Sequence, residues 1–351
     1  MRYDFVSVGD VTTDAFIKLK EGVHTEPADE GPGTELCFRF GDKLEYEQVD
    51  IIHGVGNAGN AAVSAARLGA TTALVTDIGE DENGDAALSA WQADGVAVDF
   101  VRRHKEYPTH YHFVLRFGAE RTILIKHQPW PYKIPDFPEP PRWMYFSSVG
   151  EHGLEYHHEL ASYVKAHGVK LAFQPGTFQI SLGRDRIKDA YEASEIFFCN
   201  KQEAQRILSS ATPSGSPTRR TSQNERGNTQ KNDTGEFKDL LDSVRALGPS
   251  IAVITDGPNG AYASDGTGYW KMPMYPDPAP PVDRTGAGDS FSSTVAAMLA
   301  EGLPLQEALR RGPINSMNVV QLIGAQKGLL TREEIEKLLE TAPTDYALRE
   351  L

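Results

Sequence analysis

Short runs of apolar residues alternate along the chain with longer stretches whose apolar residues fall three and four apart. Residues 3–8 alternate apolar and polar and stop at Gly9, which predicts a strand. Strands are also predicted over 72–76, 143–149, 169–173, 195–199 and 251–255. Helices are predicted from the Ala-rich stretch after Gly56, up to Asp94, over 154–167, 180–191 and 237–247, and from Asn200 to Leu208. Further helices are predicted from Asp289 to Gly302, over 305–311, over 314–323 and over 331–340. Strands in regular alternation with helices predict an α/β fold: a three-layer α/β/α arrangement on a central, mostly parallel, doubly wound sheet.

Two regions break that alternation. Residues 15–52 hold strand-like pieces at 15–19, 36–40 and 46–52 around an acidic loop over 21–33, and residues 111–117 and 121–127 flank Gly118-Ala119-Glu120 as a β-hairpin. Together, about 12–52 and 107–128, they predict a small β-sheet standing apart from the parallel one within a single domain spanning 1–351. Residues 209–235 contain one apolar residue, Ala211, and are expected to form a disordered surface insertion, because so little apolar surface cannot offset the entropy of ordering.

Net charge narrows the partners. At −14, the chain is a poor ligand for nucleic acid or an anionic membrane. Cys37 and Cys199 lie far apart in apolar runs, and buried free thiols are expected. No run approaches membrane-spanning length, so a cytoplasmic protein is expected.

The densest chemistry lies in V-D-R-T-G-A-G-D-S-F, residues 282–291. Small residues running into a helix N-terminus aim backbone N–H groups and the positive dipole end at one point, which suits an anion. Asp289 is misplaced in a plain anion trap, yet apt for taking a proton from an attacking hydroxyl; its bland reading is a dipole-stabilising acid. Asp10 and Asp14 follow the first strand, where open α/β sheets bind ligands. Gly54, Gly56 and Gly59 satisfy G-x-G-x-x-G, with Asp77 at a ribose-binding distance, so an NAD(P)-dependent oxidoreductase is a rival reading. That reading leaves Asn57, Asn60 and the glycines at 286 and 288 without a role. Asn200 and Glu203 have the spacing of a helix capping box.

The D-x-T-G-A-G-D-x-F run, complete at Asp283, Thr285, Gly286, Ala287, Gly288, Asp289 and Phe291, resembles the signature of the ribokinase-like (PfkB) carbohydrate kinases. G-N-A-G-N-A at 56–61, N-K-Q-E at 200–203 and T-D-G-P-N-G at 255–260 are similar to further family motifs, with Val55 in place of one family glycine. The resemblance implies an ATP-dependent kinase that moves the γ-phosphoryl group to a hydroxyl of a sugar or nucleoside. It implies Asp289 as general base, and the amides of Gly286, Ala287 and Gly288 as anion hole. It places Asp14, Gly56, Asn57, Asn60 and Arg121 at the acceptor, with His110 and His112 as further lid contacts. It assigns Asn200 and Glu203 to water-bridged Mg²⁺, and Thr255, Gly257, Gly260 and Asn315 to the nucleotide. K⁺ is implied near the Asp283 and Thr285 carbonyls, and a homodimer through the lid strands. A catalytically silent sugar or nucleotide sensor on the same scaffold is the remaining alternative.

Overall fold

The computed structural model describes residues 2–20, 23–27, 34–118, 120–209 and 233–351. The main sheet has ten strands. Seven run parallel, in the order Val101–His104, Thr72–Gly79, Phe5–Val8, Trp143–Phe146, Lys170–Phe173, Ser194–Asn200 and Ile251–Thr255. Three antiparallel strands, Ala261–Ser264, Tyr269–Met272 and Arg349–Glu350, extend one edge. Residues of the central strands are buried on both faces, as parallel strands under two helical layers must be. Along Trp143–Phe146, Trp143 and Tyr145 pack on one face with Phe291 and Val295, while Met144 and Phe146 pack on the other with Leu160 and Phe173.

A second sheet of four strands stands apart, in the order Tyr46–Val55, Thr12–Leu19, Tyr111–Phe117, Glu120–Leu124. It is the small sheet expected over 12–52 and 107–128: Tyr111–Phe117 and Glu120–Leu124 pair antiparallel as expected, while the central pair, Thr12–Leu19 with Tyr111–Phe117, is parallel. The strand predicted over 36–40 is instead Thr34–Leu36, paired with Thr25–Pro27, and Phe40 stands fully exposed beyond it. Arg116 ties the lid to the main body by donating to the Val282 carbonyl at 2.8 Å. Gly324 packs so close to Ile52 that a Cβ there would lie 2.3 Å from Ile52 Cδ1.

Other boundaries also differ from expectation. The helix expected over 180–191 is two, Thr177–Leu182 and Lys188–Glu192, broken by Gly183 at φ +87°. The helices expected over 305–311 and 314–323 form one, Leu305–Val319, with Pro313 inside it. Gly312 lies flat against Phe291 and Val295, and that packing holds both halves in line across the single lost hydrogen bond. Cys199 is buried as expected, but Cys37 is only partly so. Most of the stretch read as a disordered insertion, 210–232, lies outside the described residues; Ser209 ends the helix Lys201–Ser209 and Asp233 begins the helix Asp233–Arg245. Among the described residues no helix is long and apolar enough to cross a membrane.

Candidate active site

Two helix N-termini face each other at the C-terminal edge of the sheet. The helix Ala287–Glu301 begins two residues earlier than its apolar pattern predicts, behind Gly286 in the left-handed region, so Asp289 sits in its first turn. The helix Asn57–Arg67 begins after Gly56, also at positive φ. Its Asn57 and Asn60 are three apart, hence on one face. Asn57 Nδ2 donates to Asp289 Oδ1 at 2.8 Å, and Asn60 Nδ2 donates to Asp289 Oδ2 at 2.8 Å. Gln174, just past the strand Lys170–Phe173, adds a third donor to Oδ1 at 3.2 Å.

The amides are themselves oriented. Gln326 Nε2 donates to Asn60 Oδ1 at 3.1 Å and to the Gly54 carbonyl at 2.8 Å, which leaves Asn60 Nδ2 for the carboxylate. The Tyr145 hydroxyl donates to Gln174 Oε1 and lies 2.7 Å from Ser292 Oγ, which turns Gln174 Nε2 toward Asp289. Burial raises the Asp289 pKa; the Asn60, Gln174 and Asn57 hydrogen bonds and the Arg121 charge pull it part of the way back. In this structure both asparagines, which the resemblance assigns to the acceptor, donate to the carboxylate. The physical reason is that the facing helix N-termini place their donors against the one anion between them.

The loop before Asp289 is buckled from below. Asp283, buried, accepts from the Thr285 amide at 3.0 Å, from the Thr285 hydroxyl at 2.7 Å and from the Gly324 amide at 3.1 Å. Ser290 N–H donates to the Gly286 carbonyl at 2.8 Å, so the amides ahead of it belong to the end whose donors lack an intrahelical acceptor. Ala287 N–H makes a long 3.4 Å bond to Arg284 O. Gly286 and Gly288 differ: a Cβ on Gly286 would lie 2.4 Å from Ala325 Cβ, while one on Gly288 would meet nothing within 4 Å.

Two cavities meet at Gly288. One, of about 280 Å³, is lined by Asn57, Arg121, Gln174, Asn200, Glu203 and Asp289. The other, of about 480 Å³ and more apolar, is lined by Thr255, Gly257, Gly260, Tyr275, Ala287 and Ser316. Thr255, Arg284, Gly288 and Phe291 belong to both. Asn200 and Glu203 complete the capping box: Asn200 N–H donates to Glu203 Oε2 at 2.8 Å, and Glu203 N–H donates to Asn200 Oδ1 at 2.9 Å. Burial pushes the Glu203 carboxyl up, and Asp289 adds to that effect. Asn315 does not reach the second cavity. It is fully buried, donating to Thr294 Oγ1 at 2.9 Å and accepting from the Leu330 amide at 2.9 Å, and the helix turns Ser316 toward the cavity instead.

Asp14 lies on the lid strand, outside the lining of the 280 Å³ cavity, with Oδ1 3.5 Å from His112 Nδ1 on the neighbouring strand. Beside it Asp10 accepts from Tyr132 OH at 3.0 Å and lies 3.0 Å from His127 Nδ1. The His110 and His127 rings are 4.9 Å apart, those of His112 and His127 5.6 Å. Asp10, His110 and His127 offer ligand atoms within 4.8 Å of one another, a spacing compatible with a metal, but both Asp10 oxygens already accept from Tyr132. Sequence reading anticipated His110 and His112 but not His127, Tyr132, Gln174 or Gln326. Gln174 carried a usable signal, a polar residue at the C-terminal end of a parallel strand; the others are set by long-range packing.

The dinucleotide reading fails on its own residues. Asp77 is buried and committed to Arg102 at 2.8 Å and His104 at 2.6 Å, so it cannot grip a ribose. The helix N-terminus that would hold a pyrophosphate instead faces the Asp289 carboxylate. Gly54 and Gly59 are explained by packing: a Cβ on Gly59 would lie 2.3 Å from the Gly54 carbonyl oxygen.

Known proteins resemble this chain in sequence and in fold. The family described as "pfkB family carbohydrate kinase" matches residues 40–332. A ribokinase from Bacillus subtilis (strain 168) is 27% identical over 290 residues, 81% of this chain and 87% of its own. An ATP-dependent 6-phosphofructokinase from Thermoanaerobacterium thermosaccharolyticum is 23% identical over 352 residues, 92% of this chain and 90% of its own. Among solved structures, Arabidopsis thaliana ribokinase complexed with ribose and ATP superposes with a TM-score of 0.74 at 20% identity, covering 97% of this chain and 99% of its own.

Proposed function

The chain belongs to the pfkB family of carbohydrate kinases, and from that premise we propose that it transfers the γ-phosphoryl group of ATP to a hydroxyl of a sugar or nucleoside, with Asp289 as the base. The supporting observation is the clamp on Asp289. Three amide donors hold its carboxylate on the wall of the 280 Å³ cavity, next to Gly288, where the two cavities meet. A hydroxyl presented there lies between the base and a phosphate entering past Gly288. The long, partly apolar cavity suits the nucleoside end of ATP, with Thr255, Gly257 and Gly260 along it.

The amides of Gly286 and Gly288 and the helix dipole stabilise the charge that develops on the transferred group, and positioning supplies most of the rest. Asp289 takes the hydroxyl proton as the oxygen attacks the γ-phosphorus and the bond to the β–γ bridging oxygen breaks, releasing ADP. Arg121, whose charge reaches Asp289, closes the lid side of the cavity and screens the phosphates.

Glu203 and Asn200 fit Mg²⁺ held through waters, since they offer oxygen donors and Glu203 is a desolvated carboxylate that a cation relieves. Bound there, Mg²⁺ would neutralise triphosphate charge. K⁺ near the Asp283 and Thr285 carbonyls rests on resemblance alone, and no step depends on the ion. A homodimer through the lid is supported by an exposed apolar row in register across its strands, Ile51, Phe113 and Leu124 at 52%, 45% and 53% exposure. Sedimentation equilibrium of wild type and Phe113→Glu tests it; an unchanged monomer in both ends that part.

The test of the activity is ADP release coupled to phosphorylated product across a panel of sugars and nucleosides with ATP and Mg²⁺. Acceptor-dependent product that vanishes in Asp289→Asn supports the kinase. Tight binding of ATP and acceptor without product would favour a sensor.

A further inference from the structure

We propose, resting on the kinase reading above, that Arg284 is a further catalytic residue: its guanidinium bridges the β- and γ-phosphates of ATP and holds the charge that gathers on the departing ADP. The D-x-T-G-A-G-D signature leaves this position open, so the resemblance assigns it no role.

Position singles this residue out. Four residues line both cavities, Thr255, Arg284, Gly288 and Phe291, and Arg284 is the only charged one. It stands where a triphosphate running from the larger cavity to Asp289 crosses between them. The backbone beneath it is fixed. The Val282 and Asp283 amides donate to the Val320 carbonyl at 2.8 and 3.2 Å, the Asp283 carboxylate accepts from the Thr285 amide at 3.0 Å, and the Arg284 carbonyl accepts from the Ala287 amide at 3.4 Å. The Arg284 side chain itself is exposed, and among the described residues no hydrogen bond or ion pair engages its guanidinium. An arginine with a fixed root and a free head keeps all five N–H donors for a ligand. Their planar fork matches phosphate oxygens two at a time.

Charge balance requires a cation there. Asp289 and Glu203 line the smaller cavity and Asp277 the larger, three carboxylates that repel a triphosphate. Arg121 offsets the smaller cavity alone; among the described residues lining the larger one, Arg284 is the only cation. Its field reaches Asp277, whose carboxyl burial pushes up and Arg284 draws back. The step is balanced without any proton leaving the arginine. The acceptor oxygen bonds to the γ-phosphorus, the bond to the β–γ bridging oxygen breaks, and that electron pair leaves with ADP. The hydroxyl proton goes to Asp289. Arg284 donates hydrogen bonds to the phosphate oxygens that gain charge, and those bonds strengthen as the charge grows.

The experiment measures coupled turnover, and calorimetric binding of ATP and AMP, for wild type, Arg284→Ala and Arg284→Lys, with thermal unfolding to confirm that each folds. In Arg284→Ala, kcat should fall at least about thirtyfold and the Kd for ATP rise at least about fivefold. The Kd for AMP, which lacks the β- and γ-phosphates, should stay within about twofold. Added guanidinium ion should restore part of the lost kcat, saturably and in Arg284→Ala alone, a response that a structural role does not give. Arg284→Lys, a point charge without the fork, should retain more activity than Arg284→Ala yet stay at least about threefold below wild type. A kcat within about twofold of wild type in Arg284→Ala, or a loss that guanidinium does not relieve, overturns the proposal. So does a double-mutant cycle in which Arg284→Ala costs nothing once Asp277→Asn is present, since Arg284 would then act only by balancing Asp277. Calorimetry separates the proposal from the kinase reading. If wild type phosphorylates no acceptor, the kinase reading falls, and the phosphate contact stands only if Arg284→Ala weakens ATP and not AMP.

Discussion

Asn60 and Asp289, 229 residues apart in the chain, are joined by a 2.8 Å hydrogen bond from Nδ2 to Oδ2. The bond sets two distant motifs against each other and fixes the direction of the carboxylate.

Removing the charge from Asp289 should therefore abolish chemistry while sparing the fold. In Asp289→Asn, kcat should fall at least about a hundredfold, with ATP binding by calorimetry changed little. Retention of near-native turnover would remove Asp289 from the mechanism.

The pH profile should follow the same carboxyl. Burial raises its folded-state pKa above 3.8, so the base is protonated at higher pH than a free aspartate, and the acid limb of kcat/KM should lie above that value. The Gln174 amide favours the charged form, so Gln174→Leu should push the limb further up in pH. A raised carboxyl pKa stabilises the fold below the unfolded-state value, and that contribution is lost as pH rises through the folded-state value. Stability measured from pH 4 to 8 should accordingly decline with this group's ionisation in wild type, and the decline should be smaller in Asp289→Asn.

Gly286 and Gly288 should separate stability from activity. Gly286→Ala has both a positive φ and a contact at 2.4 Å to resolve, so it should lower the melting temperature by several degrees. Gly288→Ala has open space and should fold normally, but its methyl enters the junction of the two cavities and should cut kcat/KM about tenfold or more. Equal melting temperatures for the two would contradict the packing described.

Glu203 carries a cap and a charge, and two substitutions divide them. Glutamine can still accept from the Asn200 amide, so Glu203→Gln should keep stability to within about 1 kcal/mol while raising the Mg²⁺ concentration needed for half-maximal rate. Glu203→Ala should lose both. An unaltered Mg²⁺ requirement in Glu203→Gln would leave the residue a cap alone.

Much of the fold was legible because the central strands are short apolar runs and the helices between them keep a 3.6-residue period. Leu154–His167 and Ile251–Thr255 fall where their pattern places them. The pattern failed where long-range packing overrode local rules: at Pro313, carried inside a helix by the contact of Gly312 with Phe291, and over 180–191, where one glycine at positive φ divides two helices. In the site, the spacing of Asn57 and Asn60 exposed a shared face but not its target, because their hydrogen-bonding capacity suits a diol and a carboxylate equally. Asn315 shows the converse: it lies beside the cavity in sequence, yet the rotation of its helix buries it, and only three-dimensional packing fixes that rotation.

One lid strand, Tyr46–Val55, passes through Gly56 straight into the helix that begins at Asn57. A lid strand and the helix whose Asn57 and Asn60 hold Asp289 are thus a single piece of chain joined at Gly56, so any displacement of that sheet would be carried through one residue to the carboxylate.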